Sequence, residues 1–468
     1  MSNERVKAKK NFLSRNIDMT EGVVWRQLLL FALPLIIGDF LQQLYSTTDS
    51  IIVGQFVGKE ALAAVTSTET LINAIIGMFS GISAGATIVI ARYFGEKNDK
   101  KLSDGVHTTM AIALIMGVIM TLVGVFLSPA MLRLLSTPED VFPEARTYLT
   151  IYFCGMMGLV VYNMAGGILR AVGDSRRPLV ALVITAAINI VLDLLFVCVF
   201  HMGVAGAALA TIIGIYISGF YLLGVLMKTE EAFRFVPKKI RINKDIAGSV
   251  FKIGIPTGLN KSIVAFSNLM VISHINYFGS GATAGWGVYR RVDTLVMNIM
   301  TNMSTAVSTF VSQNIGAKKT ERVNSGCRFG LLATFAVTIV LDALLFVFRE
   351  PIIRLFNADA EVIYYGSIAF AMQLPFQPLN AFAHAQGGKL RGYGDSAGPA
   401  YISLLCMVVL RQIYLNVGWN YIRSFEFVVS CYPFAWIMNV LILAIYSAVK
   451  GYGVFRPARG RAAQGTKL

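Results

Sequence analysis

Charge is scarce in this sequence. Of its 468 residues only 14% are Asp, Glu, Lys or Arg, against about 25% in ordinary soluble domains. Cysteine is scarce as well. Cys154, Cys198, Cys327, Cys406 and Cys431 are scattered through apolar stretches, with neither metal-ligand spacing nor the density of a disulfide framework. The four histidines are equally dispersed. There is no phosphate-binding loop, zinc-binding helix or nucleophile elbow. These absences argue against an enzyme and against a resident cofactor. An ATP-driven pump would need its nucleotide site on another chain. Strand-like alternation of apolar and polar residues is also missing, which excludes an outer-membrane barrel.

What fills the chain instead is apolar sequence, 55% of it. The apolar runs are long enough to cross a bilayer as helices. They cover 27–53, 60–91, 105–128, 145–169, 179–200 and 204–227, then 247–275, 283–314, 325–348, 362–388, 400–418 and 426–449. This predicts an all-α polytopic membrane protein with twelve spans, six per half. The expected organisation is a basic amino-terminal segment (1–26), an amino lobe (27–227), a basic inter-lobe loop (228–246), a carboxy lobe (247–449) and a basic tail (450–468). The first apolar run is too long for a signal peptide, and no cleavage site follows it.

The net charge of +15 would suit nucleic acid, but its distribution argues otherwise. Most Lys and Arg fall on one set of loops and tails. Lys59, Arg133, Arg146, Arg349, Arg354 and Arg423 fall on the other set. This positive-inside bias predicts both termini in the cytoplasm and a place in the plasma membrane.

The chain also repeats itself. Gly166-Gly167-Ile168-Leu169-Arg170-Ala171-Val172-Gly173-Asp174-Ser175-Arg176-Arg177-Pro178 recurs as Gly387-Gly388-Lys389-Leu390-Arg391-Gly392-Tyr393-Gly394-Asp395-Ser396-Ala397-Gly398-Pro399. Pro34 aligns with Pro256, Phe56 with Phe278 and Gly95 with Gly316 at nearly the same spacing. Six spans per half give the halves one orientation, so they are parallel repeats. Such repeats commonly surround a substrate path in transporters.

Ionisable residues inside spans are costly and are usually kept for function. Asn189 and Asp193 are four apart on the fifth span and share a helix face. At about 1.5 Å per residue, Asp49 lies roughly 6 Å inside the outer end of its span, and Asp193 and Thr211 roughly 10 Å. Asp49, Asn189, Asp193 and Thr211 therefore place oxygens at similar depth on three spans of one lobe. Two adjacent carboxylates in low dielectric can hold a proton, and the same oxygens suit a hard cation such as Na+. Their repeat counterparts are Val271, Leu410, Tyr414 and Tyr432, so ion coupling is expected in the amino lobe alone.

Taken in order, these pieces resemble the multidrug and toxic compound extrusion (MATE) family over roughly residues 20 to 450. The resemblance rests on Phe31-Ala32-Leu33-Pro34, Gln43-Leu44-Tyr45-Ser46-Thr47-Thr48-Asp49-Ser50, Ala91-Arg92-Tyr93-Phe94-Gly95 and the repeated Leu-Arg-x-x-Gly-Asp-Ser element. It implies two pseudo-symmetric six-helix lobes around a central cleft, and export of lipophilic, cationic compounds in exchange for H+ or Na+. A functional monomer is expected. The DinF-like branch is the better match, because its amino-lobe cation site corresponds to Asp49, Asn189, Asp193 and Thr211. Tyr45 and Tyr148 also match that branch as supporting residues. Pro34 is expected to bend the first helix in response to protonation near Asp49. Another branch carries acids on the seventh and tenth helices, where this chain has Asn260, Lys261, Gln373 and Gln377. An alternative function within the superfamily is a flippase for a lipid-linked precursor.

The repeat alignment places Asp39 opposite Lys261, and in this family the first and seventh helices face each other. The two charges are expected to pair in the cleft. The Gly-Asp-Ser elements are expected to turn the chain and cap the next helix. Asp293, three residues beyond Arg290, is its expected partner. Arg411 lies inside a span with no acceptor visible in the sequence.

The topology has a direct check. Of cysteines introduced at Ser2 and Thr137, only the one at position 137 is expected to react with an impermeant maleimide on intact cells. Labelling at position 2 would reverse the orientation.

Overall fold

A computed structural model describes residues 17–134 and 137–453. The basic stretches 1–16 and 454–468 lie outside the described residues. Helix dominates, and no strand occurs among the described residues. The first six expected spans appear as α1 (Val24–Phe56), α2 (Lys59–Gly95), α3 (Asp99–Leu134), the pair α4 (Phe142–Cys154) and α5 (Met156–Ala171), α6 (Arg176–Asp193) and α7 (Gly203–Lys228). The second six appear as α8 (Lys244–Asn276), α9 (Ser280–Gly316), α10 (Thr320–Val347), the pair α12 (Ala360–Gln373) and α13 (Gln377–Gly392), the pair α14 (Ala397–Leu404) and α15 (Arg411–Trp419), and α16 (Phe425–Val449). A short helix, α11 (Arg349–Phe356), precedes α12.

Several helices outrun the apolar stretches that announced them, because a helix continues past the hydrocarbon layer into water. Three spans are broken. α4 and α5 meet at 47° across Gly155. A 3-10 turn at Leu374–Phe376 separates α12 from α13, and Pro375 removes an amide there. A π-helical segment, Leu405–Leu410, joins α14 to α15.

By length and composition alone, eight described helices can cross a membrane, or nine if the bent pair counts as one span. The exceptions are α8, α9 and the α12–α13 pair, all in the second half. They carry polar residues such as Lys261, Arg290, Asp293, Gln373, Gln377 and Asn380. More than half of α9 is buried by protein, so its polar side chains need not face lipid.

The chain divides into two compact units. Unit one comprises Met1–Met19 and Leu29–Phe251, and unit two comprises Thr20–Leu28 and Lys252–Leu468. In unit one, α5 packs against α2, α3 and α7, and α6 packs along α7. In unit two, α13 packs against α9, α10 and α16. Matching bonds hold the matching helices. Ser83 Oγ donates to the Asn163 carbonyl at 2.8 Å, and Ser304 Oγ donates to the His384 carbonyl at 2.5 Å.

The repeated glycine element is explained residue by residue. A Cβ on Gly167 would lie 2.7 Å from Ser83 Oγ, and one on Gly388 would lie 2.5 Å from the Ser304 carbonyl. Gly173 and Gly394 take φ of 87° and 92°, the left-handed turn that follows each helix. Asp174 Oδ1 accepts from the amides of Arg176 and Arg177 at 3.1 Å. Asp395 Oδ1 accepts from the amide of Gly398 at 3.0 Å. The expected turn and cap are present in both copies.

Gly173 is further constrained because a Cβ there would sit 2.0 Å from the Ile17 carbonyl oxygen. Gly279 shares the positive φ, at 92°, but has nothing within 4 Å. Gly279→Ala should cost only the left-handed strain, about 1–2 kcal/mol. Gly173→Ala should cost clearly more, read as a larger drop in melting temperature of the purified protein. Equal drops would show that the Ile17 contact is unimportant.

Candidate functional site

Unit one brings the expected oxygens together. Asp49 comes from α1, Asn189 and Asp193 from α6, and Thr211 from α7. Asp193 is fully buried, Asn189 is 1% exposed and Asp49 is 8% exposed. Asn189 Nδ2 donates to Thr211 Oγ1 at 3.3 Å, and Thr211 Oγ1 donates to the Ala207 carbonyl at 3.0 Å. Asp49 lies within electrostatic reach of Asp193. Two carboxylates close together in a low-dielectric interior do not readily both stay ionised.

The local backbone supports this arrangement. α6 ends at Asp193, and the next six residues, Leu194–Val199, are π-helical. π segments recur at functional sites, where they interrupt the regular helical ladder. Behind the site, Gly214 lets α7 approach α6. A Cβ there would sit 3.1 Å from Thr185 Cγ2 and 3.8 Å from Asn189 Cβ. Thr185 and Ser218 hydrogen-bond to each other, and Ser218 Oγ donates to the Ala181 carbonyl at 2.8 Å. The two helices that carry three of the four ligands are thus fixed to each other independently of any ion.

The site leaves acceptors over. Asn189 Oδ1 and both oxygens of Asp193 are buried without a donor. Among the described residues no group of three or more His, Cys, Asp or Glu is placed to hold a metal ion. Two carboxylates with neutral amide and hydroxyl oxygens suit a proton or a monovalent cation. A divalent ion would draw on more charged oxygens.

The supporting tyrosines form a chain rather than a single shell. Tyr45 lies within electrostatic reach of Asp49 and also of Tyr152 and Tyr162. Tyr148 is buried and stacks on Tyr152, with ring centroids 6.2 Å apart. Pro34 lies inside α1, which remains helical across it.

Comparison with known proteins follows this geometry closely. The MatE family profile matches residues 34–195 and again 256–417. The two matches begin at Pro34 and Pro256, the pair that aligned the repeat. The chain belongs to the MATE family. It is 30% identical over 391 residues to a probable multidrug resistance protein, YoeA, of Bacillus subtilis, covering 82% of this chain and 84% of that one. A second probable multidrug resistance protein of that organism, YpnP, is 29% identical over 394 residues, covering 84% and 88%. An outward-facing multidrug resistance MATE transporter superposes with a TM-score of 0.86 at 20% identity, covering 94% of this chain and 98% of that one. The twelve-helix, two-lobed fold is therefore the MATE fold, and the protein is a multi-pass membrane transporter rather than an enzyme.

Asp39 and Lys261 belong to different units of this MATE protein. Asp39 lies within electrostatic reach of Arg170 and Tyr162 in unit one. Lys261 lies within reach of His384 in unit two, as does Arg391. Asp293 is the partner of Arg290, at 2.7 Å.

The partner of Arg411 lies outside the range of sequence reasoning. Arg411 is 1% exposed. Its Nη2 donates to Ser267 Oγ at 2.7 Å, and its guanidinium sits over the Tyr432 ring, 4.8 Å from the centroid. Ser267 stands where the repeat has Tyr45, and Tyr432 where it has Thr211. Sequence reading also passed over Asp342 on α10, which is 5% exposed. A lone acid in an apolar span is itself a signal.

The arginine contact gives a stability test. Replacing a buried charge by an apolar side chain of similar volume is often neutral or stabilising. Arg411→Met should therefore leave the melting temperature unchanged or raise it. Ser267→Ala keeps the charge and removes its acceptor, and should cost about 1–3 kcal/mol. A larger loss for Arg411→Met than for Ser267→Ala would show that the positive charge itself is required for folding.

Proposed function

We propose that this MATE protein is a secondary active exporter that moves amphipathic compounds, lipophilic cations among them, in exchange for H+ or Na+. Asp49, Asn189, Asp193 and Thr211 form the coupling site. The observation that carries this reading is the burial of Asp49 and Asp193 within electrostatic reach of each other, where a proton on one removes the repulsion between two carboxylates. The leftover acceptors of Asn189 and Asp193 give a monovalent cation an equivalent place. The names of the relatives as multidrug resistance proteins support export of small molecules and do not favour the flippase alternative.

Coupling follows from what one proton does there. A shared proton ties α1 to α6. Its loss leaves two like charges close together in a medium of low dielectric, and they repel. α1 is well placed to respond, because Pro34 has no amide to give the Leu30 carbonyl, so the helix is weakest there. Ion binding and release at Asp49 therefore bias the bend of α1, and alternating access uses that bias. Tyr45 lies within electrostatic reach of both Asp49 and Tyr152.

The test is efflux of a lipophilic cationic dye from proteoliposomes, with proton and sodium gradients imposed separately. Asp193→Asn is close to isosteric and should preserve folding. It should abolish gradient-driven efflux, because an amide cannot release a proton. Wild-type efflux by the purified Asp193→Asn protein would remove Asp193 from the coupling site. The gradient that drives the wild type identifies the ion.

A further inference from the structure

The amino-lobe site does not exhaust the buried acids of this protein. Unit two holds a second cluster, built on α9, α10 and α13. Its centre is Asp293 on α9, 3% exposed. Arg290 Nη1 pairs with Asp293 Oδ2 at 2.7 Å, Gln377 Nε2 donates to Asp293 Oδ1, and Tyr289 lies within electrostatic reach. Asp293 is thus a buried carboxylate with a cation and an amide donor to hold its charge.

Asp342 lies within electrostatic reach of Asp293 and has none of that support. It is 5% exposed, and neither of its oxygens has a hydrogen-bond partner among the described residues. Nearby acceptors are orphaned too. Thr338, one turn earlier on the same face of α10, is 1% exposed and its hydroxyl has no partner. Gln377 is fully buried, and its Oε1 has no donor once its amide nitrogen is spent on Asp293.

The charges on the elements packed against α10 offer no compensation. α9 presents Asp293, whose cation Arg290 is already committed. α11 begins at Arg349, whose Nη1 donates to the Phe346 carbonyl at 2.7 Å. α12 presents Gln373, and its Glu361 lies at the outer start against Gly281. The basic groups of α13 are His384, which lies near Arg391 and Lys261, Lys389, which donates to the Gly453 carbonyl at 2.9 Å, and Arg391, which donates to Ser304 Oγ at 2.6 Å.

An ionised carboxylate with no donor, no cation and a neighbouring like charge is not a stable buried group. A proton removes that charge, and the neutral carboxyl can then donate as well as accept. We propose that Asp342 is a second proton-binding carboxyl of this transporter, in unit two, so that the two units carry one proton site each. This rests on the reading of the protein as an ion-coupled exporter and revises the expectation that coupling is confined to the amino lobe. The neutral network of Asp293, Arg290 and Gln377 positions the site, and Asp342 exchanges the proton.

The experiment uses the full-length protein purified in lipid nanodiscs, with no substrate required. Proton uptake is counted on shifting a weakly buffered sample from alkaline to acid pH, and the infrared band of protonated carboxyl groups is followed in parallel. Asp342→Asn should take up about one proton fewer per chain than the wild type, and the wild-type-minus-variant spectrum should contain a protonated carboxyl band at neutral pH. Asp193→Asn, measured alongside, should show its own independent loss of similar size, and the double variant should lose both. Unchanged uptake and no difference band for Asp342→Asn overturn this inference, even where Asp193→Asn behaves as expected. A loss at Asp342 with none at Asp193 removes the amino-lobe site instead and leaves this one standing. Should Asp342→Asn fail to fold, the Asp193→Asn protein decides instead, through its melting temperature, because it lacks the amino-lobe acid that gives the same signal. A carboxyl that is neutral when folded makes the protein less stable as pH rises and it ionises. Thr338→Val added to Asp193→Asn leaves Asp342 in place and must keep that alkaline loss, and its absence in both proteins counts against a proton at Asp342.

Discussion

The close approach of a small-residue helix face to a serine organises both halves of this protein. In each unit the second glycine of the repeated pair lies against the serine that hydrogen-bonds across to the same helix. Contact this tight needs both parts. Without the glycine the backbones stand apart, and without the serine a carbonyl of a packed helix loses a donor in a place water does not reach. In a membrane no hydrophobic effect drives helices together, so van der Waals contact and interhelical hydrogen bonds carry the association. The second and fourth spans of each half are thereby fixed to each other. The left-handed glycine and the aspartate cap that follow then set where the fifth span starts. The geometry of the coupling residues on that span is inherited from this contact.

A shared frame does not impose shared chemistry. The amino unit places two acids, an amide and a hydroxyl at the positions where the carboxy unit has Val271, Leu410, Tyr414 and Tyr432. Beside those positions the carboxy unit buries Arg411 instead, held by Ser267 and the face of Tyr432. A guanidinium does not titrate. Where the amino unit has a place for an exchangeable cation, the carboxy unit has a permanent one. The carboxy unit's own buried acid without a hydrogen-bond partner among the described residues, Asp342, lies elsewhere, on α10, a helix apolar enough to pass as a membrane span by composition. On α9 many of the polar residues are buried against protein, whereas Lys261 on α8 is exposed.

How far the sequence reveals all this depends on whether the signal is local or spatial. The twelve spans are legible because each depends on its own apolar run, and the repeat is legible because identical residues recur at fixed spacing. The convergence of Asp49, Asn189, Asp193 and Thr211 is legible from depth, since rise per residue is constant. The 47° break at Gly155 and the π segment after Asp193 are not, because a bend inside an apolar run leaves the composition unchanged. Arg411 is a buried cation whose acceptor lies 144 residues away, and no periodicity points to Ser267. Asp342 was hidden differently. It stands alone in its span, with no second acid at helical spacing, and its meaning comes from Asp293 on the neighbouring helix and from acceptors that only a packed structure shows to be orphaned.

The two acid clusters differ in what a proton can move. On the proposed coupling reading, the unit-one proton is shared by acids of different helices, so its departure turns an attraction between α1 and α6 into a repulsion. The helix on one side is interrupted by Pro34, and the helix on the other is clamped to α7 through Thr185 and Ser218. The response must therefore fall on α1. In unit two the acceptors around Asp342 lie on its own helix and on α13, which the glycine contact already fixes. There the span is interrupted too, at the turn that carries Pro375 and ends beside Gln377. On the proposed reading, ion binding in the amino unit becomes motion through α1, and the unit-two acid sits beside a break of its own.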